Sequence, residues 1–292
     1  MATKDKNRDG MDILRRRGFT KFDPLDSGGQ GNVYKTMKGK TVYAVKVVHI
    51  DDKDRNNHQL EEDLKRELAI IKNVRHVNCI RVEDLFRTQH KVFIVMEFMP
   101  NKSIGDEVDT KMAPLCEWKS KVYFTQIASA INYLHRHNIA HRDLKLDNVL
   151  LDIHYNAKVC DFGFSRFVVK DTTGRIRRST SYVGTPSYEA PEVLMMRPYD
   201  PFKYDVWSLG ICLFIMLNYD YPFNSDEDNQ KVIDNQMKRK YQFNVNVNKK
   251  LSPLAKDLVK KLLEPNSDIR ISIDNVCKHP WVPNCFHQLN NS

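Results

Sequence analysis

His141-Arg142-Asp143-Leu144-Lys145-Leu146-Asp147-Asn148 and, after a gap of twelve residues, Asp161-Phe162-Gly163 bring carboxylates, an ammonium and an amide into a short span of chain. An aspartate able to accept a hydroxyl proton is followed two residues on by a lysine and five residues on by an asparagine. The second aspartate arrives after two apolar runs, Asn148-Val149-Leu150-Leu151 and Ala157-Lys158-Val159-Cys160. Moving a phosphoryl group needs little covalent chemistry from a protein; it needs positioning and charge neutralisation. Asp143 suits the orientation of a nucleophile, Lys145 offsets phosphate charge, and Asn148 and Asp161 carry oxygens that magnesium accepts as ligands. A bare His-Arg-Asp tripeptide would be read as a chance feature of a surface loop. The asparagine, the Asp-Phe-Gly and the flanking apolar runs together make chance a poor account.

This stretch resembles the catalytic loop of eukaryotic protein kinases, and the resemblance runs in order over about residues 19–282. It implies an α+β, bilobal fold with a small β-rich N-lobe at about 19–96 and a larger, mainly helical C-lobe at about 100–282. Residues 1–18 then read as a basic N-terminal arm and 283–292 as a short C-terminal tail.

Upstream, Leu25-Asp26-Ser27-Gly28-Gly29-Gln30-Gly31-Asn32-Val33-Tyr34-Lys35 sets three glycines in a strand-turn-strand pattern. Glycines let backbone amides approach phosphates closely, although a plain hairpin turn accounts for the same residues. On the kinase pattern Gly28, Gly31 and Val33 match, and Asp26 stands where the first glycine is usual. In Thr41-Val42-Tyr43-Ala44-Val45-Lys46-Val47-Val48, period-two alternation puts Ala44 and Lys46 on one face. Leu60, Leu64, Leu68 and Ile71 recur at helical spacing, and beside them Glu67 matches the helix glutamate that pairs with the strand lysine in active kinases. The resemblance makes Met96 the gatekeeper, sets the backbones of Glu97 and Met99 against the adenine edge, and adds Leu25 and Leu150 to the nucleotide contacts.

Downstream, Ile127, Ile131 and Leu134 lie on one face of a helix predicted over 117–138. The segment from Asp161 to Ala190-Pro191-Glu192 holds a hydroxyl-rich loop with arginines beside it, 175–186. Within it Ser181 lies three residues before Gly184, where the activating phosphate of similar kinases sits, with Ser179 and Thr180 as rivals. Arg142 is the residue such a phosphate would meet. Thr185, together with Lys145, resembles serine/threonine rather than tyrosine kinases. Asp205 matches the aspartate that braces the catalytic loop, and Arg270 the partner of Glu192. The run from Asp205 to Leu217 is apolar nearly all round and predicts a buried helix. Ser252-Pro253 has helix-start chemistry, with Leu254, Leu258 and Leu262 behind it.

Composition narrows the alternatives. Forty-six Lys and Arg against 37 Asp and Glu give a net charge of +9, spread in short runs rather than one stripe interleaved with aromatics, so nucleic acid is not an expected partner. Six cysteines form no CxxC and no zinc-spaced cluster, so reduced thiols are expected. The N-terminus lacks the apolar core of a signal peptide, and the apolar run 211–217 is too short to span a bilayer. A cytoplasmic location is expected, with the nucleus open as a second. Eleven residues follow Trp281, too few for a pseudosubstrate helix plus a calmodulin-binding helix, so no calmodulin-binding tail is expected.

Leu14-Arg15-Arg16-Arg17-Gly18-Phe19, Asp161-Phe162-Gly163-Phe164 and the segment 199–210 resemble the testis-specific serine kinases of the calcium/calmodulin-dependent group. The expectation is therefore a serine/threonine kinase that uses ATP and magnesium on protein substrates, with an upstream activating kinase and a place in sperm development. A pseudokinase scaffold, to which Asp26 points, is the alternative. Ser103 stands where arginine-directed kinases carry a glutamate, which argues against a strong need for arginine three residues before the acceptor, although Asp147 keeps an acid in the catalytic loop.

Overall fold

The computed structural model describes residues 5–28, 31–50 and 58–283, with side chains for 11–27, 31–50 and 65–283. Gly29 and Gln30 of the glycine loop, Cys285 and the tail beyond residue 283 lie outside the described residues, as do the side chains of Leu60 and Leu64. The chain forms two compact units. The first takes the described residues up to Val74 with Ile80–Pro100, and the second takes Arg75–Cys79 with the described residues from Asn101 onward.

The first unit opens with helix α1 (Asp5–Arg16) and continues through β1 (Phe19–Gly28), β2 (Gly31–Lys38), β3 (Thr41–His49), α2 (His58–Asn73), β4 (Val82–Arg87) and β5 (Lys91–Glu97). The strands make one antiparallel sheet in the order β1-β2-β3-β5-β4. Register assigns its faces, because directly opposed residues point the same way. Lys46 lies opposite Val33 and Ile94, and Ala44 opposite Lys35 and Met96. The alternate residues Val45, Val47, Phe93 and Val95, with Phe86, form the other face.

The N-terminal segment packs on that second face. Leu14 is fully buried in a cluster with Phe19, Val45, Val47, Phe86, Phe93 and Val95, and Met11 and Ile13 pack at its edge. Arg17 lies 3.8 Å over the Phe86 ring and bonds Asp84 at 3.1 Å. The arm thus covers this face of the sheet: Arg15, Arg16 and Arg17 are exposed while Leu14 is buried among the apolar side chains of the face. Leu14→Ala is expected to destabilise the protein by about 2–5 kcal/mol, the range for deleting a buried leucine side chain. Urea unfolding would measure it, and a change within about 0.5 kcal/mol, as at a surface position, would contradict this packing.

Residues 75–79 join the second unit through specific bonds. The Arg75 N–H donates to Tyr133 Oη at 2.9 Å, Asn78 Nδ2 donates to the Ala157 carbonyl at 2.9 Å, and the Val159 N–H donates to the Asn78 carbonyl at 2.8 Å. The unit then runs through α3 (Ile104–Lys111), α4 (Glu117–Arg136), β6 (Ile139–Ala140), β7 (Val149–Leu151), β8 (Ala157–Val159), β9 (Arg166–Phe167), α5 (Pro191–Leu194), α6 (Pro201–Asn218), α7 (Asn229–Met237), α8 (Val245–Asn248), α9 (Pro253–Leu262) and α10 (Ile273–Cys277). Strands β7 and β8 form a hairpin, and β6 pairs with β9.

Helix α6 is the centre of this unit, with Tyr204 and every residue from Asp205 to Asn218 buried. Asp200 caps it by accepting the Phe202 N–H at 2.9 Å, Pro201 takes its first turn, and Tyr219 ends it in the left-handed conformation. On α9, Ser252 caps as expected, but the buried stripe is Ala255, Leu258, Val259 and Leu262, and Leu254 is exposed. At 3.6 residues per turn Leu254 falls about 100° from Ala255, off the edge of the stripe. Ser103 serves as the α3 cap, accepting the Asp106 N–H at 2.9 Å while Asp106 accepts the Ser103 N–H at 3.0 Å. Among the described residues no helix is long and apolar enough to cross a membrane.

Candidate active site

Strand β6 ends at Ala140, and the loop that follows is held from below by one buried carboxylate. Asp205, in the first turns of α6, accepts the His141 N–H at 2.9 Å on Oδ2 and the Arg142 N–H at 2.8 Å on Oδ1. The His135 Nε2 also donates to Oδ2, at 2.8 Å. His141 is fixed in turn: its Nδ1 accepts the Asp143 N–H at 3.3 Å and its Nε2 faces the Cys160 carbonyl at 3.0 Å. A carbonyl can only accept, so the imidazole proton sits on Nε2. One buried ring thereby ties the loop to the residue before Asp161. Arg142 and Asp161 both have left-handed backbones, φ 65° and 59°. Such strain in non-glycine residues persists only where surrounding bonds enforce it, and it gathers at functional sites.

On this base the polar groups converge. Asp143 Oδ1 accepts the Thr185 hydroxyl at 2.8 Å, and Lys145 Nζ donates to the same Thr185 oxygen at 3.0 Å while lying 3.5 Å from Asp143 Oδ2. Asn148 Nδ2 donates to the Asp143 carbonyl at 2.9 Å and to Asp143 Oδ2 at 3.1 Å. With its amide nitrogen so engaged, Asn148 Oδ1 takes no hydrogen bond among the described residues. It is an oxygen donor of the kind a hard cation needs, and Asp161 supplies a carboxylate. Magnesium commonly takes one or two protein oxygens and completes its shell with phosphate and water, so the donor set fits that ion.

The other expected nucleotide residues lie in the first unit, apart from Leu150, which sits on β7. Val33, Ala44, Lys46 and Met96 share the sheet face opposite Leu14. Glu67 is half-buried on α2. Gly28 and Gly31 pair across β1 and β2, and Gly31 has φ 119° with a Cβ position that would strike the Val47 carbonyl, so only glycine fits. The Asp26 carboxylate turns back to accept the Ser27 N–H at 2.8 Å, and Leu25 is exposed. The Glu97 carboxylate accepts the Arg81 N–H at 2.8 Å. The Met99 main chain makes no hydrogen bond among the described residues.

The family profile described as the protein kinase domain matches residues 19–282. The chain belongs to the protein kinases. The kinase is 34% identical over 275 residues to testis-specific serine/threonine-protein kinase 1 of Homo sapiens, covering 94% of this chain and 74% of that one. It is 32% identical to CBL-interacting protein kinase 24 of Oryza sativa subsp. japonica, across 95% of this chain and 60% of the relative. With serine/threonine-protein kinase D2 of Rattus norvegicus it shares 36% identity, across 94% of this chain and 31% of the relative. These relatives make it a serine/threonine kinase that resembles the testis-specific enzymes within the calcium/calmodulin-dependent group.

Two groups around the kinase's catalytic loop escaped sequence reasoning. His135 looks like an ordinary polar residue at a helix end, yet it is buried against Phe202, with rings 4.2 Å apart, and bonds Asp205. Tyr199 precedes α6 and Tyr204 lies in its first turns, and the sequence gives neither hydroxyl a partner. Both hydroxyls, however, reach the main chain of the activation segment, Tyr199 at the Ser181 carbonyl (2.8 Å) and Tyr204 at the Val183 carbonyl (3.4 Å). The one available signal is that tyrosine, unlike phenylalanine, carries a hydroxyl that must find a partner when buried.

Proposed function

We propose that this kinase transfers the γ-phosphoryl group of ATP to serine and threonine hydroxyls of proteins. The convergence of Thr185 and Asn148 on Asp143, with Lys145 against the same threonine, carries the reading. Asp143 orients the acceptor hydroxyl and takes its proton. Lys145 stays on the transferring phosphate, and Thr185 holds both side chains in place. Magnesium, when bound there, would neutralise charge on the transferring phosphate. Asn148 and Asp161 would hold it, while Lys46, paired with Glu67, would position the other phosphates. The nucleotide is further received by Leu25, Gly28, Gly31, Val33, Ala44, Met96, Glu97, Met99 and Leu150. Asp26 is compatible with this role, since its carboxylate is occupied by its own strand.

Phosphorylation of Ser181 by an upstream kinase is proposed to raise activity by drawing on Arg142, whose guanidinium already lies at Ser181. By analogy with the testis-specific relatives, the kinase acts within the cell during sperm development. Lys46→Met, assayed with magnesium-ATP and a basic protein substrate, is expected to lower turnover by about 10²–10³-fold, as removal of one preorganised charge stabiliser does. The melting temperature should stay close to that of the wild type. Turnover within threefold of wild type would remove Lys46 from the phosphate site.

A further inference from the structure

We infer that Tyr199 is a positioning residue for phosphoryl transfer, clasping the activation segment at Ser179 and Ser181 without any phosphate on the loop. The inference rests on the kinase reading above and gives a role to a residue outside the proposed catalytic and nucleotide-binding set.

The observations converge on one oxygen. The Ser181 carbonyl accepts the Tyr199 hydroxyl at 2.8 Å and Arg142 Nη1 at 3.4 Å, so both of its lone pairs are used. Arg142 also donates from Nε to the Phe164 carbonyl at 2.8 Å and directly precedes Asp143. The Ser181 carbonyl is therefore bonded to the residue that directly precedes Asp143. Two residues earlier, Ser179 and Tyr199 exchange both main-chain hydrogen bonds, at 2.8 and 3.0 Å, as an isolated antiparallel bridge. Tyr199 thus grips the segment twice, by its backbone at Ser179 and by its hydroxyl at Ser181.

Neighbouring contacts make the grip directional. The Tyr199 ring is fully buried and meets Tyr204 edge-on, centroids 5.6 Å apart. The Tyr204 hydroxyl reaches Val183, and burial holds it far above the usual tyrosine range, so it remains a donor. Gly184 follows with φ 135°, and a Cβ there would run into that same hydroxyl and crowd the Arg142 carbonyl. Thr185 then delivers its hydroxyl to Asp143. From Ser179 to Thr185 the chain is thus led over two tyrosines and Arg142 to the reacting carboxylate. Loosening Ser181 releases the leader that places Thr185.

Tyr199→Phe removes the hydroxyl and leaves the ring and the backbone bridge. In phosphatase-treated protein, kcat/KM for a peptide substrate is expected to fall about fivefold, the scale of one lost net hydrogen bond. KM for ATP should be unchanged. Trypsin cleavage after Arg175, Arg177 and Arg178 in the folded protein should rise by a similar factor. The melting temperature should stay within about 2 °C of wild type, which separates positioning from general loosening. Unchanged cleavage with unchanged kcat/KM would overturn the inference, as would a loss of activity matched by an equal rise in KM for ATP or by a large fall in melting temperature. A wild-type protein lacking turnover that depends on Asp143 would sink the kinase reading instead, and the cleavage comparison would still decide whether Tyr199 clasps the loop.

Discussion

Asp143→Asn is expected to lower phosphoryl transfer by about 10²–10⁴-fold, the usual contribution of a positioned general base, equivalent to about 3–5 kcal/mol in the barrier. Two consequences of the geometry set the direction. The substituted amide oxygen can still accept the Thr185 hydroxyl, so the loop should keep its path. Its nitrogen, however, would face the Asn148 amide nitrogen that now donates to Asp143 Oδ2 at 3.1 Å. Two donors cannot bond each other, so Asn148 must turn or retreat, and the proposed metal ligand is disturbed along with the base. The loss should therefore appear in kcat and also as a higher magnesium requirement. Steady-state assays across a magnesium titration, with thermal melts on the same preparations, would test this. Turnover within tenfold of wild type at saturating magnesium would show that Asp143 is not the base.

Arg270→Ala is expected to cost about 3–5 kcal/mol of folding stability, as breaking a buried ion pair from one side does. Arg270 is 1% exposed, and all five of its N–H donors are used. Nη1 and Nη2 meet Glu192 Oε1 and Oε2 at 2.7 and 2.9 Å, Nε donates to the Glu264 carbonyl at 2.7 Å, and the remaining two reach the Lys203 and Pro265 carbonyls at 2.8 and 3.3 Å. The guanidinium also lies 4.9 Å from the Trp207 ring centroid. Truncation strands the Glu192 carboxylate and three carbonyls. Arg270→Lys should rescue little, because an ammonium lacks the planar fork that this cluster matches. Replacing Arg270 and Glu192 together with methionines should recover much of the loss, since no buried charge is then left alone. Urea denaturation of the single and double variants would measure each term. A single-variant cost below about 1 kcal/mol would show the cluster to be solvated.

Much of the second unit was legible from local pattern. The run behind Asp205 is apolar on every side, and such a helix is stable only when buried, so α6 at the centre followed from the residues alone. The order and spacing of His141, Asp143, Lys145, Asn148 and Asp161 likewise pointed to the candidate site, because these groups lie close along the chain. Alternation in β3 placed Ala44 and Lys46 on one face without any partner strand being known.

Long-range geometry decided the rest. Leu14 sits among arginines in a segment too short to show periodicity, and only the sheet behind it reveals a single leucine as the plug of an apolar face. Leu254 has the residue type of a core position, but helical phase turns it outward while Ala255 is buried. The sequence assigns no role to the Tyr199 and Tyr204 hydroxyls, whose partners lie 18 and 21 residues away in the chain. The physical reason is common to these cases. A side chain's neighbours along the chain determine which local structure it adopts and which face it occupies, whereas the partner of a buried leucine or hydroxyl is chosen only when distant segments close around it.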